Sequence, residues 1–159
     1  MNSRFKRTLL AAAAAAVLLC GCDLASSSGD AVSLAGRWIS AYGDGFEISG
    51  SDSSGYLYTQ YDDSSRNVSF AGSIVNDPDL YDTSGYIIIK ITDSGTWVKQ
   101  TGYYLSIHWK SLSDVGVALS SAYKTGSQYN NGIATETEAA LEYTVENGYF
   151  GYYGEYQKQ

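Results

Sequence analysis

The chain predicts an all-β fold: about eight antiparallel strands in a meander or barrel, with one short helix before the last strand. Three observations lead there. The sequence holds 15 Tyr, 17 Gly and a single Pro, and aromatic and β-branched residues suit pleated strands while Gly suits the turns between them. Apolar and polar residues alternate at period two in several short stretches, the pattern of a strand with one buried face. Turn signals rich in Gly, Ser and Asp separate those stretches at short intervals, which favours antiparallel neighbours, and closure into a barrel removes the edges an open sheet would expose.

The first strand is expected over 36–42, where Gly36-Arg37-Trp38 opens the domain, and Gly43-Asp44-Gly45 turns the chain into a second over 45–50, with Phe46 and Ile48 on one face. A Ser-rich turn leads to 55–61. Asp62-Asp63 reads as a plain turn into 66–76, where Val68, Phe70, Gly72 and Ile74 alternate with smaller residues. A loop holding Pro78 precedes 85–92, whose Ile87, Ile89 and Ile91 share a face opposite Ile88 and Lys90. The clearest alternation is 103–110: Tyr103, Leu105, Ile107 and Trp109 face one way and Tyr104, Ser106, His108 and Lys110 the other. A seventh strand over 115–121 turns Val117 and Leu119 inward. The period then changes. Thr135 followed by Glu138 fits a capping box, Glu138, Glu142 and Glu146 form one acidic stripe opposite Ala140, Tyr143 and Thr144, and Gly148 is placed as a stop, so a helix is expected over 136–147. The last strand, 149–157, carries aromatics on both faces.

The N-terminus has a different character. Arg4, Lys6 and Arg7 precede an apolar run from Leu9 to Leu19, of signal-peptide length and short for a membrane-spanning helix. The run closes in Leu19-Cys20-Gly21-Cys22, which resembles a bacterial lipobox. The resemblance implies cleavage before Cys22 and acylation of Cys22 by palmitate-type chains, each buried methylene contributing ~0.8 kcal/mol of membrane affinity. Residues 1–21 are then a lipoprotein signal peptide, 22–35 the acylated Cys and a Ser-rich flexible tether, and 36–159 the barrel domain, anchored in the bacterial cell envelope through the lipid.

Charge and composition exclude some classes. The formal charge is −7, and the part beyond the signal is more acidic still, so nucleic acid is repelled. Both cysteines lie in the lipobox, which leaves none for a disulfide, and the domain depends on its core alone. One histidine, His108, cannot make a zinc site without further ligands and stands beside no recognisable catalytic set. Asp77, Asp79 and Asp82 around Pro78 lack the spacing of a calcium loop and read as solvated turn carboxylates. No cofactor motif is present. A hydrolase would need titratable side chains converging in one cleft, and no spacing singles out such a pair.

The aromatics remain. Trp38, Tyr56, Tyr58, Tyr61, Trp109, Tyr152 and Tyr153 are the candidates for ligand contact, because such side chains supply large amphipathic area at low entropy cost.

Two resemblances bear on the fold. Gly36-Arg37-Trp38 resembles the G-x-W start of lipocalins, and a late helix beside a barrel is similar to theirs, which follows the eighth strand. That resemblance implies a calycin-like barrel and a basic residue from a late strand packed on the Trp, for which the chain's end offers Lys158. Across nearly the whole domain, Gly36-Arg37-Trp38, Tyr42-Gly43-Asp44, Phe70-Ala71-Gly72, Ser84-Gly85-Tyr86-Ile87, His108-Trp109-Lys110 and Asn147-Gly148-Tyr149-Phe150 resemble a domain of small spirochaete (treponeme-type) lipoproteins. That family implies an envelope location and carries over no activity. The expectation is a non-catalytic envelope lipoprotein binding a small or amphipathic ligand in or on its barrel; the alternatives are a protein-interaction module, in host contact or envelope assembly, and a hydrolase.

Overall fold

The computed structural model describes residues 31–159; the expected signal peptide, Cys22 and most of the tether lie outside the described residues. Eight strands and one helix follow in order: β1 (Gly36–Ile39), β2 (Gly45–Ser51), β3 (Gly55–Tyr61), β4 (Val68–Ile74), β5 (Gly85–Asp93), β6 (Tyr104–Lys110), β7 (Val117–Ser121), α1 (Glu136–Glu142) and β8 (Gly154–Lys158). Each strand pairs antiparallel with the next, and β8 returns to β1, so the sheet closes into an up-and-down barrel. The closing seam is short, with Trp38 opposite Lys158 and Ile39 opposite Gln157. There Lys158 Nζ sits 5.3 Å from the Trp38 ring centroid and donates to the Ser33 carbonyl at 2.8 Å.

Period-two alternation decides which side chains enter the barrel. Phe46, Ile48, Tyr58, Phe70, Ile87, Ile89, Ile91, Leu105, Ile107, Trp109, Val117, Leu119 and Tyr156 are all buried. Inside, rings from β1 to β4 follow one another: Trp38 stacks on Phe46 at 6.0 Å, Phe46 on Tyr58 at 5.9 Å, and Tyr58 tilts against Phe70 at 5.8 Å. Each such pair adds ~0.5–1.5 kcal/mol beyond its buried area.

The two barrel ends differ. The loops at 52–54, 75–84 and 111–116 share one end with the chain's entry to β1 and its exit from β8. That end is plugged. Leu34, Leu80 and Leu112 are buried across it, Leu34 N–H donates to Leu80 O at 2.7 Å, and the Trp109 indole donates to Asp82 O at 3.0 Å. The domain therefore begins before Gly36, since Leu34, in the segment read as tether, is core. The loops at 40–44, 62–67 and 94–103 and the long segment 122–153 gather at the opposite end, the mouth.

Three boundaries differ most from the sequence reading. β1 stops at Ile39, because Ser40 and Asp44 close a turn (Ser40 N–H to Asp44 O, 2.8 Å) that leaves Tyr42 96% exposed. α1 stops at Glu142, since Tyr143 leaves the helical region (φ −80°, ψ 79°) to bury its ring and donate to Tyr129 O at 2.6 Å. Its buried face is Ala139 and Tyr143, not Ala140, and Gly148 (φ +79°) ends a separate turn. β8 begins at Gly154 rather than 149. Residues 149–153 instead cross the outer wall of β5 and β6, where Phe150 packs on Tyr86 (5.6 Å) and His108 (5.4 Å). That wall carries an apolar position among its polar ones: Ile88 points outward and is nonetheless buried. The N-cap half of the capping box forms, Thr135 Oγ1 accepting from Glu138 N–H at 3.3 Å, while the Glu138 carboxylate accepts from the Thr135 hydroxyl at 2.8 Å rather than from its backbone N–H.

Candidate functional site: the barrel mouth

A cavity of about 400 Å³ opens at the mouth. Its inner wall comes from barrel-facing positions: Gln60 on β3, Leu119 and Ser121 on β7, and Gly154 and Tyr156 on β8. Its rim comes from loops: Trp97 and Lys99 after β5, Ala122 and Tyr123 after β7, and Tyr152 before β8. A side chain at Gly154 would press on its neighbour, since a Cβ there would lie 2.7 Å from the Tyr156 hydroxyl. The rim aromatics are open to solvent, Tyr152 at 73% and Trp97 at 46%, and Tyr123 meets Tyr152 edge-on at 6.2 Å.

Beneath the rim the polar groups are tied together. Tyr58 donates to Gln60 Oε1, and Tyr156 donates to Asp44 Oδ2 at 3.3 Å. Burial pushes the Tyr58 phenol well above its ordinary value, and burial followed by the Asp44 charge pushes Tyr156 up to about 12. Both are neutral hydroxyls throughout the physiological range. Lys99 is the cation of the mouth. It is only 7% exposed, donates to Asn130 O, and lies 5.8 Å from the Trp97 ring and 5.9 Å from Phe70. Desolvation lowers it to about 8. The cavity thus offers apolar and aromatic walls, neutral hydroxyl and amide groups, and one ammonium.

The loop carrying Trp97 and Lys99 is fixed by Asp62. Its carboxylate accepts from Ser69 Oγ at 2.6 Å, from the Trp97 indole at 2.7 Å and from Thr96 Oγ1. Burial raises the Asp62 carboxyl, but the three donors together outweigh it and hold the group below its ordinary value. Asp62 is therefore a clamp beneath the mouth, not a plain turn residue.

The sequence candidates do not form one site. Tyr152 lines the mouth, and Tyr58 lies below it in the packed interior with Trp38 and Trp109. Tyr56 is at the plugged end, donating to Asp52 at 3.0 Å. Tyr61 faces outward from β3, beside Glu47 and under Arg66, whose guanidinium carbon is 4.8 Å from its ring. Tyr153 joins the outer wall, 2.7 Å from His108 Nδ1, with Lys110 Nζ 3.7 Å from its ring centroid. Lys99, Trp97, Gln60 and Tyr123 were not singled out in the sequence. The signal for Lys99 was slight: a lysine in a loop beside Trp97.

A larger hollow, about 590 Å³, lies outside the barrel between α1 and the segment 128–134, with a mostly polar lining. Among the described residues no three His, Cys, Asp or Glu side chains converge as metal ligands, and no helix is long and apolar enough to cross a membrane. The chain matches no known protein family, no curated protein and no solved structure. The chain is a closed eight-stranded antiparallel β-barrel of a form compatible with ligand binding.

Proposed function

We propose that this chain is a lipid-anchored lipoprotein of the bacterial cell envelope, without chemistry of its own, that binds a small or amphipathic ligand in the mouth of its barrel. The observation that carries the reading is the mouth cavity: about 400 Å³, walled by barrel-facing side chains and rimmed by exposed aromatics. That volume and mixture of apolar wall with a few polar groups suit a small-molecule site. The lipobox-like Leu19-Cys20-Gly21-Cys22 supports the anchor. The Lys158 contact on Trp38 supports the lipocalin-like reading of the barrel. The chain enters β1 at the plugged end, opposite the mouth.

The exposed Tyr123–Tyr152 pair favours a second reading, in which a protein partner seats a side chain in the same mouth.

Fluorescence separates the two. Trp97 is half-exposed while Trp38 and Trp109 are buried, so acrylamide quenching reports the mouth. A dialysable envelope extract should protect Trp97. Protection only by the retained macromolecular fraction would favour the partner reading, and protection by neither would overturn both. For the anchor, radiolabelled palmitate should enter the wild type and not Cys22→Ser.

A further inference from the structure

We propose that the mouth selects a compact amphiphilic monoanion, a carboxylate or similar group on an aromatic or branched apolar body, with Lys99 as its charge partner. This rests on the reading of the mouth as a ligand cavity and specifies what enters it.

Lys99 is almost wholly buried, and among the described residues the single ion pair is Arg66–Glu47, on the outer wall. The ammonium has three donors. One goes to the Asn130 carbonyl, and the rings of Trp97 and Phe70 supply only their electron-rich faces. A buried charge without a counter-ion is costly, and an entering anion relieves that cost. The remaining wall suits an apolar body: Leu119, Ala122 and the rings of Tyr123, Tyr152 and Tyr156. The charge of the ligand is bounded from the other side. A chain of net charge −7 repels polyanions at long range, and one ammonium neutralises one negative charge. The competing role for Lys99 is a strut that only ties its loop to Asn130.

The test places the full chain in phosphatidylcholine nanodiscs and measures 2-naphthoate and neutral 2-naphthamide by equilibrium dialysis, with empty nanodiscs as the blank. Wild type and Lys99→Arg should hold naphthoate about tenfold more tightly than naphthamide, the scale of a charge-assisted contact. Lys99→Met should bind both alike while still binding naphthamide, and Lys99→Gln gives the same comparison if the Met variant does not fold. Equal binding of the two probes by wild type overturns the anion proposal and leaves the ligand cavity standing. A preference that survives in Lys99→Met also overturns it. Binding of neither probe removes the cavity reading and the proposal with it.

Discussion

The Trp97 indole donates a 2.7 Å hydrogen bond to Asp62, tying the loop after β5 to the turn after β3, 35 residues away in sequence. The same carboxylate accepts from Ser69 and Thr96, so one side chain fixes the loop that brings Lys99 to the mouth. Asp62→Ala is expected to cost about 1–2 kcal/mol in denaturant unfolding, the lower part of the range for bonds to a partly solvated charge. It should also make Trp97 more quenchable by acrylamide. The carboxyl is held below its ordinary value when folded. Its contribution is therefore complete above the unfolded carboxyl's pKa of about 4 and is lost as pH falls. The stability gap between wild type and Asp62→Asn should shrink in acid.

Gly85 pairs across the sheet with Trp109, and a Cβ on Gly85 would lie 2.4 Å from the Trp109 ring. The ring is buried and held by its bond to Asp82 O, so it has little room to yield. Gly85→Ala should lose about 2–3 kcal/mol by overpacking. Gly151→Ala, where a Cβ meets nothing within 4 Å, should be close to neutral. Parallel thermal melts check both.

His108 is lowered from its ordinary value by burial first and by Lys110 second, with Glu146 opposing. An NMR titration should find it below 6.5, and Lys110→Met should move it upward. Because the unfolded chain takes up the His108 proton first, the group's contribution is whole above about pH 6.5 and declines below it. Tyr153→Phe removes the 2.7 Å bond to Nδ1 and should increase the hydrogen exchange of residues 149–153.

Lys99 has the same sign in a more alkaline window. Desolvation lowers it to about 8 when folded, so between that value and the unfolded lysine's ~10.4 the unfolded state holds the extra proton. Stability then rises with pH. Relative to Lys99→Met, the ligand-free wild type should gain about 1–2 kcal/mol between pH 7.5 and 9.5. The raised tyrosines are common to both proteins and cancel.

The barrel was legible in the sequence because its signals are local. The alternations of Leu105, Ile107 and Trp109, and of Ile87, Ile89 and Ile91, each specify a face, and short turns leave little choice of neighbour. The start of the last strand is not legible, because Tyr149, Phe150 and Tyr153 have the composition of a strand. Phe150 and Tyr153 instead pack on the outward His108, a need created on another strand, and Tyr149 packs edge-on to Tyr143. The mouth was less legible still. Gln60, Lys99, Leu119 and Tyr152 come from four separate stretches, and only closure brings them to one cavity. Asp62 carries only a turn signal for the same reason: two of its three donors lie more than 30 residues away.

The most direct measurement of the central claim is a native mass spectrum of the mature protein, gently purified from its envelope, beside Ser121→Phe, which places a ring in the mouth. The account predicts a one-to-one adduct on the wild type that leaves on unfolding and is missing from the folded variant. An adduct equally present on both proteins, or on neither, would contradict binding in the mouth.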